Sequence, residues 1–201
     1  MKPLPRSFYE PSVVAVARAC IGKLLVRRTR EGLVGGRIVE TEAYRGPEDL
    51  AAHSRRGLRT ARTEVMYGPP GHAYVYLLYG TSWALNFVCG AVDRPHAVLV
   101  RAVEPVLGLD LMARRRGMAA TDRALTNGPG KLCAALAVDK SAYGTDLCAA
   151  GSELFLAECD LPTGPVGKSA RIHIDYAGEW VDKPWRFFEK RNRWLSAPPR
   201  E

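Results

Sequence analysis

Metal-binding side chains are few in this sequence and poorly spaced. Four histidines (His53, His72, His96 and His173) form no ligand-spaced cluster, and five cysteines (Cys20, Cys89, Cys133, Cys148 and Cys159) contain no CxxC pair. Neither a zinc site nor a disulfide framework is indicated, so the expectation is reduced, mostly buried thiols with no metal and no cofactor. Acidic residues are the minority, Asp+Glu 21 against Lys+Arg 29, which leaves a net charge of +8 and an isoelectric point near 9.4. No uninterrupted apolar run is long enough to span a membrane. The apolar stretch after Pro11 is broken by Arg18 and Lys23, so it does not read as a signal peptide. Repeats, low-complexity tracts and linkers are missing as well. The expectation is one cytoplasmic domain over residues 1–201 with the basic surface that nucleic acids, ribosomes or membrane surfaces attract.

Periodicity supplies the elements. Pro11 followed by "SVVAVARACIGKLLV" predicts a helix, with Gly22 near its end and a strand beyond. "GLVGGRIVETEAY" predicts a strand whose alternation sets Ile38, Glu40, Glu42 and Tyr44 on one face and Val39, Thr41 and Ala43 on the other. "RGPED" reads as a turn, and the arginine-loaded "LAAHSRRGLRTAR" as a loop or short helix. "GHAYVYLLYGTSWALNF" reads as a hairpin turning at Gly80, with Tyr74 and Tyr76 on one face, Tyr79 on the other, and Ala84, Asn86 and Val88 aligned on the return strand. "HAVLVRAVEP" is a further strand, a helix follows from about Gly108 to Arg116, and "TNGPGKLCAALAV" is a glycine-rich loop entering a helix. Together these describe one mixed α/β domain.

Some residues fit a packed core poorly. Glu42 on an inward-looking strand position must be solvated, paired or functional. Arg101, inside an apolar strand, needs a carboxylate, and Glu40, Glu42 and Glu104 are the candidates; a structural ion pair is the plain alternative to a catalytic one. The crowded tyrosines serve either core packing or a stacking surface. "TNGPGKL" lacks the GxxxxGK[ST] spacing of a nucleotide loop. Its Gly128 and Gly130 amides and Lys131 suit a nucleic-acid phosphate, or simply start a helix. Arg55, Arg56, Arg59, Arg62, Arg114 to Arg116 and the run Lys183 to Arg193 supply positive surface.

"GRIVETEAYRGPEDLAAHS", "GHAYVYLLYG", "VLVRAVEP", "NGPGKLCAAL" and "DKPWRFF" occur in the order they take in the alkyladenine (3-methyladenine) DNA glycosylases of the mammalian type, and the chain resembles that family over nearly its whole length. The resemblance implies an α+β fold: a single mixed domain with a curved antiparallel sheet and a protruding β-hairpin. It implies a monomer that acts on double-stranded DNA containing damaged purines, releasing them by hydrolysis. Glu42 would activate the attacking water and Arg101 would sit beside it. Tyr79 would intercalate in place of the extruded nucleotide. Tyr44 and His53 would stack on the flipped base opposite Tyr76, and Asn86 would exclude normal guanine. Thr81, His173 and Asp175 depart from residues common in relatives, and Tyr74 has no role assigned. The rival is a non-catalytic RNA-binding module that uses the same tyrosines and arginines, although such a module has no need of Glu42 and Arg101 poised in its groove.

Overall fold

The computed structural model describes residues 1–78 and 80–198. Ser12 caps α1 (Val13–Ala19), its hydroxyl accepting from the Ala15 N–H at 3.4 Å, a type of cap worth about 1 kcal/mol. Gly22 then adopts φ +88, where a side chain would collide with Thr163, and the chain reverses into β1 (Leu24–Thr29).

The long β2 (Gly32–Arg45) is the spine of the sheet. On one edge its first half pairs with β1 and its second half with β8 (Arg186–Glu189); β5 (His96–Leu107) runs along the other edge. Beyond β5 lie β4 (Ser82–Cys89) and then β3 (Ala73–Leu78). The short β6 (Leu154–Ala157) adds to β1, and β7 (Val166–Ser169) adds to β8. All these pairings are antiparallel, giving one open sheet of eight strands among the described residues. Gly36 lets β5 approach, because a Cβ there would fall 2.8 Å from the Glu104 carbonyl oxygen.

Two register shifts flank Glu40. Ile38 faces Val103, Glu40 faces Ala102 and Thr41 faces Val100, so Val39 and Arg101 are each left unopposed. Such bulges bend a strand and re-aim side chains. The expected alternation therefore fails at Ile38, which packs in the same core cluster as Val39 and Ala43. From Glu40 onward it holds.

The two faces of β3, β4 and β5 divide as period 2 requires. Val75, Leu85, Phe87, Val98 and Val100 enter the main core with residues of α1 and of α3 (Pro129–Leu136). The intervening Tyr74, Tyr76, Asn86, Leu99 and Arg101 line a cavity on the opposite face. α2 (Leu109–Arg116) packs on α3. At the hairpin, Leu78 pairs with Ser82, Gly80 takes φ +73, and the Thr81 N–H donates to the Leu78 carbonyl at 3.1 Å. Tyr79, expected to be the wedge, lies outside the described residues. No helix among the described residues is long and apolar enough to cross a membrane.

Candidate active site

The cavity has a volume of about 380 Å³, within the range of small-molecule sites. β3, β4 and β5 form its floor. Tyr44 at the end of β2, His53, the 172–176 loop and Pro129 at the start of α3 form its walls. The structure thus brings Tyr44, His53, Tyr76, Asn86 and Arg101 to one space, and Glu42 lies directly behind it.

Glu42 has no exposed surface. Its Oε2 accepts from the Tyr44 hydroxyl at 2.8 Å and from Arg101 Nη1 at 3.2 Å, and its Oε1 accepts from the Ile172 N–H at 2.8 Å. All three donor residues line the cavity. A carboxylate offers about four acceptor positions, so one, on Oε1, is left for a further donor. Arg101 also donates through Nε to Glu40 Oε1 and to the Ser196 hydroxyl, each at 3.2 Å. Burial works against the Arg101 charge, but Glu42 and Glu40 outweigh it, and the guanidinium pKa is raised. Glu40, equally enclosed, also accepts from Arg186 at 2.7 Å and from the Ser196 N–H at 2.6 Å. Two carboxylates thus meet two guanidiniums, so no charge is buried without a partner. Glu104, the third candidate for Arg101, pairs with Arg37 instead.

The aromatic wall has its own logic. Tyr74 is 2 % exposed, and its hydroxyl lies 2.8 Å from His53 Nδ1. Arg62 Nη2 stands 2.9 Å from His53 Nε2 and 3.1 Å from Nδ1. A guanidinium only donates, so the shorter contact makes Nε2 the acceptor and Nδ1–H the donor to Tyr74. Burial, with Arg62 and Arg55 nearby, pulls the imidazole down to about 4, which leaves it neutral at physiological pH. Burial pushes the Tyr74 phenol up to about 12 and the Tyr76 phenol higher, and it raises Tyr44 as well, with Glu42 adding to the effect. All three remain protonated at physiological pH. His53 and Tyr76 touch edge to face with ring centroids 4.5 Å apart, so a flat ring entering between them would have to part them. Asn86 donates from Nδ2 to the Tyr74 carbonyl at 3.1 Å, which turns its Oδ1 away from that strand.

Lys131 Nζ donates to Asn127 Oδ1 at 2.8 Å. Gly128 precedes α3, and Gly130 is required because a Cβ would lie 2.7 Å from that of Ser82. Of these glycine-loop residues, Pro129 alone borders the cavity. His173 stands at the cavity's exposed mouth rather than on its floor, with φ +58, a backbone state glycine adopts more readily; Asp175 does not line the cavity. Not every arginine assigned to the surface is free. Arg59 pairs with Glu64 and Asp93, Arg115 pairs with Glu31, and Arg186 is buried on Glu40.

Sequence reasoning missed the supports of the site. Arg171 forms a fully buried two-point ion pair with Asp49 and lies 4.8 Å from the Tyr44 ring, thereby holding the neighbouring Ile172 N–H on Glu42. Ser196 closes on Glu40 and Arg101 from the far end of the chain. An unexplained arginine in "SARIHIDY" was the only available hint, and Ser196 offered none. Among the described residues no group of three or more His, Cys, Asp or Glu is placed to hold a metal ion.

The sequence model of the methylpurine-DNA glycosylase (MPG) family matches residues 7–193. Among curated proteins, the chain is 47% identical to a protein of Desulfitobacterium hafniense (strain Y51), over 98% of this chain and 100% of the relative. It is 45% identical to one of Methanocella arvoryzae, over 98% and 96%, and 46% identical to one of Bacillus licheniformis, over 97% of each. Each bears the name "Putative 3-methyladenine DNA glycosylase". These relatives are bacterial and archaeal, so the similarity supports the family and not its mammalian type.

Proposed function

Given that the chain belongs to the methylpurine-DNA glycosylase family, and is thus a DNA-repair hydrolase of N-glycosyl bonds, we propose that it extrudes damaged purines from duplex DNA and releases them with a Glu42-activated water. The substrates proposed are 3-methyladenine, 7-methylguanine, hypoxanthine and ethenoadenine. The observation that carries the reading is a buried carboxylate held by Tyr44, Arg101 and Ile172 immediately behind an aromatic cavity.

The N-glycosidic bond is enclosed by the base stack, so the nucleotide must leave the helix, at a cost of roughly a few kcal/mol. Tyr79 would offset part of this by stacking in the gap, and Tyr44, Tyr76 and His53 would receive the base. Alkylation at a ring nitrogen leaves the base cationic, which favours electron-rich aromatic faces. A neutral His53 adds no repulsion, and the Arg101 charge is matched by Glu40 and Glu42. Bond cleavage develops positive charge on the sugar, which Glu42 stabilises while taking the proton of the attacking water. Its unused acceptor position on Oε1 suits that water. Among the described residues no lysine lines the cavity, which supports simple hydrolysis to an abasic site over strand cleavage. Asn86 would meet the exocyclic amine of guanine, and Lys131 with the Gly128 and Gly130 amides would contact a phosphate. We further propose a monomer acting in the cytoplasm.

The test is to incubate the protein with duplexes carrying methylpurine or hypoxanthine, then assay free base and strand breaks before and after alkali. Free base with breaks appearing only after alkali is expected. An absence of free base, or breaks before alkali, would refute the proposed chemistry.

A further inference from the structure

A second groove, of about 660 Å³, lies along the C-terminal segment. Arg123, Lys168, Lys190, Arg191 and Arg193 line it, and Phe188 and Leu195 give it an apolar base. Among the described residues no carboxylate lines it. None of the five cations takes part in an ion pair among the described residues. Arg193 is anchored, donating to the Thr121 carbonyl at 2.9 Å and lying 5.3 Å from the Trp194 ring. Arg191 holds φ +63, a left-handed conformation that glycine adopts more readily than residues with a side chain. Elsewhere the chain neutralises clustered arginines with carboxylates, as at Arg37, Arg101 and Arg171. Here like charges converge on one concavity unrelieved, which an incoming polyanion corrects.

Both walls of the groove lead to the active site. Leu195, Ala197 and Pro198 line the groove, while Ser196 between them contacts Arg101 and Glu40. Arg123 precedes the loop that ends at Pro129 of the cavity. Adjacent Cα atoms are about 3.8 Å apart, and duplex DNA carries one phosphate per roughly 1.7 Å of axis. The groove therefore lies within a few phosphates of a nucleotide bound at Arg101.

We infer that this groove holds the phosphodiester backbone of the duplex arm flanking the target nucleotide, an inference that rests on DNA being the substrate. Arg123, Lys190 and Arg191 bind the phosphates, independently of the base in the cavity. The test compares wild type with the triple variant Arg123→Ala, Lys190→Ala, Arg191→Ala, using a short undamaged duplex titrated across salt concentrations. The variant's plot of log affinity against log salt should flatten by roughly 0.9 for each phosphate no longer neutralised, so by roughly 2.7 for all three. The charge-keeping variant Arg123→Lys, Arg191→Lys should retain the wild-type slope. An unaltered slope in a folded triple variant would overturn the inference, as would loss of binding to polyglutamate with DNA binding intact. If wild type released no base, the proposed function would fail while the slopes still decided the groove.

Discussion

Tyr74→Phe isolates one hydroxyl. It leaves the buried ring in place against Tyr76 and removes the partner of His53 Nδ1, 2.8 Å away. A net hydrogen bond contributes roughly 1 kcal/mol, and an Nδ1–H left buried without a partner costs roughly 1–3 kcal/mol. His53 is itself only half-buried, so water can reach the freed N–H, the lower part of that range applies, and the expected loss is about 1–2 kcal/mol. For a domain of this size that corresponds to a fall in melting temperature of roughly 2–8 °C. Loss of the fixed ring orientation should also slow single-turnover base release. The decisive assay is a double-mutant cycle with His53→Ala. If the hydroxyl acts through His53, Tyr74→Phe should change base release little once His53 is gone, giving a coupling energy of about 1 kcal/mol. Effects that add to within about 0.5 kcal/mol would refute a positioning role and return Tyr74 to plain packing.

Three further outcomes follow from the same geometry. His53 is neutral in the fold because burial, Arg62 and Arg55 depress its pKa from 6.5 to about 4. The unfolded chain therefore binds more protons in that window, so stability should be full above 6.5 and decline as pH falls toward 4; the wild-type decline should shrink in His53→Ala, and an equal decline in both would contradict the assignment. Asn86→Ser should open room for an exocyclic amine and raise guanine release from mismatched pairs; background guanine release with lesion excision intact would place the filter elsewhere, with His173 the next candidate. Tyr79→Ala should weaken extrusion by roughly 1–3 kcal/mol on paired lesions and less on bulged ones, with little change in melting temperature. Equal losses on both, with a large fall in melting temperature, would make Tyr79 a packing residue.

Period-2 alternation made much of the floor legible. Tyr74, Tyr76 and Asn86 share a face because β3 and β4 are regular and paired in register. Arg101 stood out as a charge within an apolar strand, and Glu42 as a carboxylate on an inward face. Alternation failed at Ile38 because the bulge at Val39 is a property of the β2–β5 pairing and leaves no mark on either strand alone. Choosing among Glu40, Glu42 and Glu104 for Arg101 needed the position of Arg37, which claims Glu104. The four-residue strands β6 and β7 are too short for a period to register. Arg171, Ile172 and Ser196 reach Asp49, Glu42 and Glu40 across separations of more than a hundred residues, and Ile172 and Ser196 do so through their backbone amides, which no side-chain pattern encodes.

The most direct measurement of the central claim is single-turnover base release by Glu42→Gln beside its affinity for an abasic-site duplex. The amide keeps the shape but cannot take the proton of water, and one of its ends must lose a donor now bound to Glu42, so a melting curve accompanies the assay. General-base removal costs roughly 10²–10⁴-fold. The expected result is release slowed by at least about that lower figure in a folded protein that binds the abasic duplex as wild type does. Release within about tenfold of wild type would remove Glu42 from the chemistry.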